Sequence, residues 1–212
     1  MTMKKQRIVL LITILFITNF VIASPAPKAK TAKPKPTNTT APAENAPTEN
    51  KITWLTWDEM VKLNEKHPKN IFIDFYTSWC GWCKVMDKNT FGDSTVAGIM
   101  QKYFYCVKFD AERKDTIQFH DRKWVFVPGG RSGYHELAAY FMQNQLSYPT
   151  MCVLTPDYKL ITPLKGYIAV PQFEPIVSFL GQDFWLPEKN KNIEEYKKNY
   201  KSPRTTEWTP PQ

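Results

Sequence analysis

The chain has 212 residues, 42% of them hydrophobic and 14% aromatic, enough for one packed domain with extensions. Its formal charge is +8, but Lys4, Lys5 and Arg7 fall in an N-terminal apolar segment and Lys28, Lys30, Lys33 and Lys35 in a proline-rich one. The remainder is only mildly basic, without a dense Lys/Arg stripe interleaved with aromatics, and so carries no footprint for nucleic acid.

Residues 1–23 read as a signal peptide: a basic start, an apolar run over 8–23, and Val21-Ile22-Ala23 at its end. The run is short for a membrane span and contains Thr13, Thr18 and Asn19, which makes an uncleaved anchor the lesser alternative. No cysteine follows it closely to accept a lipid. Export to the periplasm is the expectation, and there disulfides persist. Residues 24–50 are Pro, Ala, Lys, Thr and Asn with almost no large apolar side chain. They cannot offset their ordering entropy and read as a disordered linker.

Folding is expected from 51 to 182, followed by an extension over 183–212. Thr56-Trp57-Asp58-Glu59 has the form of a capping box; the helix it opens should turn Met60, Val61 and Leu63 inward and end near His67-Pro68. Residues 71–76 read as a buried strand interrupted by Asp74. A helix over 80–89 follows, then one capped by Asp93 or Ser94 with Val96, Ile99 and Met100 inward, then a strand over 103–109. Residues 116–127 alternate as a hairpin, with Ile117, Phe119, Trp124 and Phe126 around a polar turn and Pro128-Gly129-Gly130 closing it.

A helix over 134–145 should bury Leu137, Ala138, Phe141 and Met142. Strands over 150–154 and 158–164 flank a Pro156-Asp157 turn. A last helix near 171–180 is stopped by Gly181, with Pro175 moving its start toward Phe173. The tail from Asp183 has no expected element or function. This order predicts an α/β protein, a mixed central sheet flanked by helices, with a β-hairpin insertion at about 113–132.

The chemistry concentrates in Cys80-Gly81-Trp82-Cys83, at a strand-to-helix junction. At the exposed tip of a helix, the Cys80 sulfur faces unpaired N–H groups and the positive end of the dipole, both of which favour the thiolate. Cys83, about one turn on, can attack a mixed disulfide formed by Cys80. Trp79 and Trp82 present an aromatic surface around the pair. A zinc site needs two more ligands at suitable spacing, and His67, His120 and His135 supply no pair. A haem attachment site needs histidine where Lys84 stands. No metal and no cofactor beyond the redox disulfide is therefore expected; an inert structural disulfide is the bland alternative.

The segment Asp74-Phe75-Tyr76-Thr77-Ser78-Trp79-Cys80-Gly81-Trp82-Cys83-Lys84 resembles the active-site segment of the thioredoxin superfamily. Tyr148-Pro149-Thr150 resembles its cis-proline segment, and Lys165-Gly166 the glycine after its last strand. Cys83-Lys84-Val85-Met86 and Thr90-Phe91 look most similar to periplasmic thioredoxin-like domains, among them the C-terminal domain of the membrane transporter that feeds reductant to the periplasm.

The resemblance implies a thioredoxin-like fold with Cys80 as attacking thiol, Cys83 as resolving thiol and Asp74 as a buried proton acceptor of raised pKa. Pro149 would lie in cis beside the dithiol, leaving the backbone at Tyr148 to pair with an extended substrate; Trp79 and Trp82 would line the same site. Cys106 and Cys152 would flank the central strand on opposite sides, unable to bond. Trp82 departs from the proline of ordinary thioredoxins, Lys88 from their kinking proline, and the insertion either shapes partner choice or embellishes the fold.

The implied activity is thiol–disulfide exchange with exported proteins in the reducing direction, fed by a membrane or periplasmic electron donor. A non-catalytic binding module on the same scaffold is the alternative.

Overall fold

A computed structural model describes residues 51–130 and 132–209; the signal-peptide and linker readings lie outside these residues. Thr56 caps the first helix through a complete capping box with Glu59. Just before it, β1 (Trp54–Leu55) pairs with β3 (Phe104–Asp110), which pairs in turn with β2 (Asn70–Tyr76), all parallel. On the other side of β2, β8 (Thr150–Leu154) and β9 (Leu160–Lys165) run antiparallel. The five-stranded order β1-β3-β2-β8-β9 is a mixed sheet with β2 at its centre.

The alternation of β2 sorts the core into two layers. Ile71, Ile73 and Phe75 join Trp57, Val107, Phe109, Leu137 and Phe141 on one face. Phe72 joins Met86, Phe91, Val96, Met100, Phe104, Phe173 and Val177 on the other. The first layer is covered by α1 (Trp57–Lys66) and α4 (Glu136–Phe141), the second by α2 (Gly81–Asn89), α3 (Ser94–Tyr103) and α5 (Val170–Gly181). Asp74 is in phase with Phe72 and so faces the α2 layer. Cys106 lies opposite Phe72 on β3 and Cys152 opposite Ile73 on β8; both are free and buried.

Several local expectations are corrected. The inward stripe of α1 is Trp57, Met60 and Asn64, with Val61 partly buried against the same core, while Leu63 is exposed. Asn64 is held inside because its side chain donates to the Pro156 carbonyl and accepts from the Lys69 N–H. The insertion forms two ribbons: β4 (Ile117–Phe119) with β5 (Arg122–Trp124), and β6 (Phe126–Val127) with β7 (Tyr134–His135). Phe126 and Pro128-Gly129-Gly130 therefore belong to the second ribbon. His135 caps α4, its Nδ1 accepting from the Leu137 N–H, and the helix stops early because Gln143 and Asn144 adopt φ of 56° and 59°.

At the C-terminal end, α5 begins at Val170 with Pro171 in its first turn and tolerates Pro175 inside. Burial of Phe173, Val177 and Leu180 outweighs the one missing backbone bond. Gly181 is required by packing: a Cβ there would stand 2.5 Å from Cβ of Tyr103 on α3.

The tail carries structure where none is expected. A 3-10 turn (Pro187–Lys189) and α6 (Ile193–Asn199) bring Tyr196, Trp208 and the preceding Phe184 against the α3–α5 layer. Arg204 then bonds Asp93, the cap of α3, and the buried Glu174 of α5, which also accepts from the Tyr200 hydroxyl. Among the described residues no helix is long and apolar enough to cross a membrane.

Candidate active site

β2 delivers the chain to a turn in which the Cys80 N–H donates to the Thr77 carbonyl at 3.1 Å. Cys80 is the N-cap of α2: its Sγ accepts from the Cys83 N–H at 3.1 Å. This is the place a capping oxygen usually takes, where orphan N–H groups and the helix dipole favour negative charge. Cys80 and Cys83 are joined as a disulfide with their Cα atoms 5.3 Å apart. The sulfurs are less open than a bare helix tip suggests, the two residues being 4% and 3% exposed. Trp79 and Trp82, at 63% and 61%, stand proud on either side.

Asp74 is buried in the central strand. Its Oδ2 accepts from Nζ of Lys108, the residue opposite it on β3, at 2.5 Å. Lys108 also donates to Asp87 of α2 and sits over the Trp54 ring, 4.8 Å from its centroid. Burial raises the Asp74 pKa to about 6, against the opposing pull of Lys108. The second oxygen, Oδ1, is buried without a hydrogen-bond partner. Burial alone would lower the Lys108 pKa, but Asp74 and Asp87 outweigh it and the net direction is upward. Lys108 therefore stays charged.

The Tyr148–Pro149 peptide is cis, immediately before Thr150 opens β8. The Pro149 carbonyl accepts from the Gly166 N–H at 2.8 Å. Gly166 takes φ of 79°, a left-handed conformation that suits glycine. The Tyr148 ring meets Trp79 edge-on at 5.9 Å, which sets the cis peptide beside the disulfide. Burial pushes the Tyr148 hydroxyl up to about 12, with Glu112 and Asp110 adding to it. Trp79 donates from Nε1 to Glu112 at 2.8 Å, and the same Glu112 oxygen accepts from Ser132 of the second ribbon at 2.6 Å. On the other side of the disulfide, Trp82 meets Tyr167 at 5.6 Å.

All seven site residues expected from sequence thus fall on three adjoining elements: the end of β2, the head of α2 and the loop before β8. Lys108, Asp87, Glu112 and Tyr167 were not anticipated. Lys108 had a visible signal, a lone lysine inside an apolar strand that mirrors the lone Asp74; the other three had none.

The first ribbon lies elsewhere. Phe119 packs on Trp57 and Tyr158, and Tyr158 follows the Leu154 end of β8, which pairs with Ile71 at the start of β2. That end of the sheet is opposite the dithiol, and only the second ribbon is tied to it, through Ser132. Among the described residues no group of three or more His, Cys, Asp or Glu is placed to hold a metal.

A mixed sheet with β2 at its centre, a dithiol capping the next helix and a cis proline ahead of the neighbouring antiparallel strand together define a protein of the thioredoxin-fold class. The chain belongs to the thioredoxin-like DsbH family described as "Protein of unknown function, DUF255", whose model matches residues 37–180.

An uncharacterized protein of Caenorhabditis elegans is 28% identical over 114 residues, 53% of this chain and 14% of that one. Spermatogenesis-associated protein 20 of Mus musculus is 28% identical over 86 residues, 40% of this chain and 10% of that one. The matches thus span a seventh or less of these curated relatives.

Among solved structures, a thioredoxin from Thermus thermophilus is similar with 15% identity and a TM-score of 0.49, over 66% of this chain and 97% of that one. A thioredoxin-fold protein from Helicobacter pylori is similar with 17% identity and a TM-score of 0.48, over 62% and 83%.

Proposed function

We propose that this chain is an exported thiol–disulfide oxidoreductase that reduces disulfides in other exported proteins through Cys80 and Cys83. The observation that carries the reading is the position of the Cys80 sulfur, capping α2 and bonded to a partner three residues on.

In the reduced form, the Cys80 thiolate attacks one sulfur of a substrate disulfide. A Cys80–substrate bond forms and the other substrate sulfur leaves as a thiolate. Cys83 then gives up its proton, with Asp74 as the acceptor, and attacks the Cys80 sulfur. The Cys80–Cys83 bond forms, the second substrate sulfur leaves, and two electrons have passed to the substrate. A dithiol donor in the membrane or periplasm resets the pair by the same exchange run in reverse. Tyr148, just ahead of the β8 ladder, offers backbone for an extended substrate to pair with, and Trp79 and Trp82 flank it. The chemistry requires no metal or organic cofactor. Residues 1–23 would direct the chain to the periplasm, where substrates of this kind occur.

The test is insulin reduction in dithiothreitol together with trapping. Cys80→Ser should abolish turnover and Cys83→Ser should accumulate mixed disulfides; turnover by Cys80→Ser equal to wild type rejects the proposal. The low exposure of both sulfurs favours one second reading, a binding module with a permanent structural disulfide. A pair that stays oxidised and unreactive in trapping would select it. Direction follows from the potential of the couple: near about −270 mV it resembles thioredoxin, near about −120 mV a strong oxidant.

A further inference from the structure

Two tryptophans bracket the dithiol, and each faces a tyrosine: Trp79 meets Tyr148 and Trp82 meets Tyr167. The two tyrosines flank a single hydrogen bond, from the Gly166 N–H to the Pro149 carbonyl. That bond carries the turn holding Tyr167 against the loop holding Tyr148. The Thr90 hydroxyl, just beyond α2, donates to the Ile168 carbonyl at 2.8 Å and fixes the turn from its other side. Tyr167 is therefore held from two sides, by the loop before β8 and by the residue just past α2.

The two ring pairs differ in how firmly they are fixed. The Trp79 indole is tied to Glu112. Among the described residues, neither the Trp82 indole N–H nor the Tyr167 hydroxyl makes a hydrogen bond, and Trp82 is 61% exposed. Gly81, between the tryptophans, has nothing within 4 Å of where a Cβ would stand, so the surface between the two ring pairs is open. The sulfurs lie low between these rings. A partner must bring its own sulfur down between them, and the residue next to that sulfur then lands on one pair.

We propose that Tyr167 is a specificity-determining residue that, together with Trp82, seats a large apolar side chain adjacent to the reacting cysteine of an extended polypeptide. This rests on the oxidoreductase reading and names its substrate class: protein cysteines flanked by aromatic or bulky aliphatic residues, in preference to small thiols that have no such side chain. Aromatic seats of this kind gain from ring contact as well as from area removed from water. The polar tips of Trp82 and Tyr167 stay available to the substrate backbone.

The test uses two peptides identical except for phenylalanine or serine beside a single cysteine, each carried as a mixed disulfide with 2-nitro-5-thiobenzoate. The Cys80 thiolate of the reduced protein attacks the peptide sulfur, the bond to thionitrobenzoate breaks, and the coloured thiolate leaves. The wild type should react with the phenylalanine peptide about tenfold faster than with the serine peptide. Tyr167→Ala should bring that ratio close to one, and Tyr167→Phe should keep it. Because the ratio is taken within each variant, loss of some folded protein does not mimic the effect.

Equal rates for the two peptides in wild type overturn the inference, as does a ratio unchanged in Tyr167→Ala or an oxidised-glutathione rate matching the phenylalanine peptide. In each of these cases the oxidoreductase reading stands. Failure of the reduced wild type to release thionitrobenzoate from either peptide overturns both.

Discussion

The ammonium of Lys108 lies 2.5 Å from Oδ2 of Asp74 across two neighbouring parallel strands, yet the other oxygen of that carboxylate is buried with no partner. Half-satisfied in this way, Asp74 holds its proton to about pH 6 because burial outweighs the attraction of Lys108. The folded-state pKa lies above the unfolded value near about 3.9. The stabilisation linked to the bound proton is therefore complete below pH 4 and lost as pH rises through 6. Asp74→Asn carries no such dependence. Urea unfolding at pH 4.5 and pH 7.5 should show the wild type losing about 2 kcal/mol relative to Asp74→Asn over that interval. A constant difference between the two proteins would contradict the assignment.

Cys106 and Cys152 should be silent in the native protein. Burial pushes both thiols up to about 12, so almost no thiolate is present at neutral pH, and reagents cannot reach them. Of the four cysteines in the chain, the fully reduced native protein should show two that react quickly with an aromatic disulfide reagent, and all four after unfolding in guanidinium. A third fast equivalent in native buffer would place one of these strands at the surface.

Arg204 satisfies Glu174, one of the few carboxylates in the core, with Nη2 at 2.5 Å from Oε2. Arg204→Ala should destabilise the protein by about 2–4 kcal/mol, because it strands a buried charge and also takes a partner from Asp93. Combining Arg204→Met with Glu174→Gln should recover most of the loss. Chemical unfolding of the wild type and these two variants decides it; a neutral Arg204→Ala would mean the tail is not clasped in solution.

Two glycines should fail for opposite reasons. Gly181→Ala pushes a methyl into the Tyr103 side chain and should cost about 1–3 kcal/mol through overpacking of α3 on α5. Gly166→Ala meets open space but must hold φ of 79°, costing about 1 kcal/mol from backbone conformation alone. Because the nearest atom is the Tyr103 Cβ, which alanine would keep, it takes Tyr103→Gly in the Gly181→Ala background to relieve the clash and give a non-additive cycle. No such rescue is available for Gly166.

The parts of the site legible in the sequence are those whose chemistry is local. Cys80 and Cys83 share one helix turn, Asp74 stands out against an apolar strand, and Tyr148-Pro149 abuts the strand it introduces. The parts that were not legible depend on contacts between distant segments. Lys108 reaches Asp74 only through strand register, Glu112 reaches Trp79 from the far end of β3, and Tyr167 reaches Trp82 across the β9–α5 turn.

The same holds for the fold. Thr56 and Asp93 announce their helices through capping chemistry within three residues. The stripe of α1 departs from its apolar pattern because Asn64 is buried by a bond to Pro156, 92 residues away. The tail looked featureless because its aromatic residues are spaced by charges, and Arg204 meets Asp93 111 positions back along the chain.

The family match ends at residue 180, whereas the guanidinium that quiets Glu174 sits two dozen positions later. A fragment trimmed to the matched stretch would keep the disulfide, the cis peptide and every strand among the described residues, yet lay bare one flank of α3 and α5. The border of what packs together here runs past the border of the stretch that the family model matches.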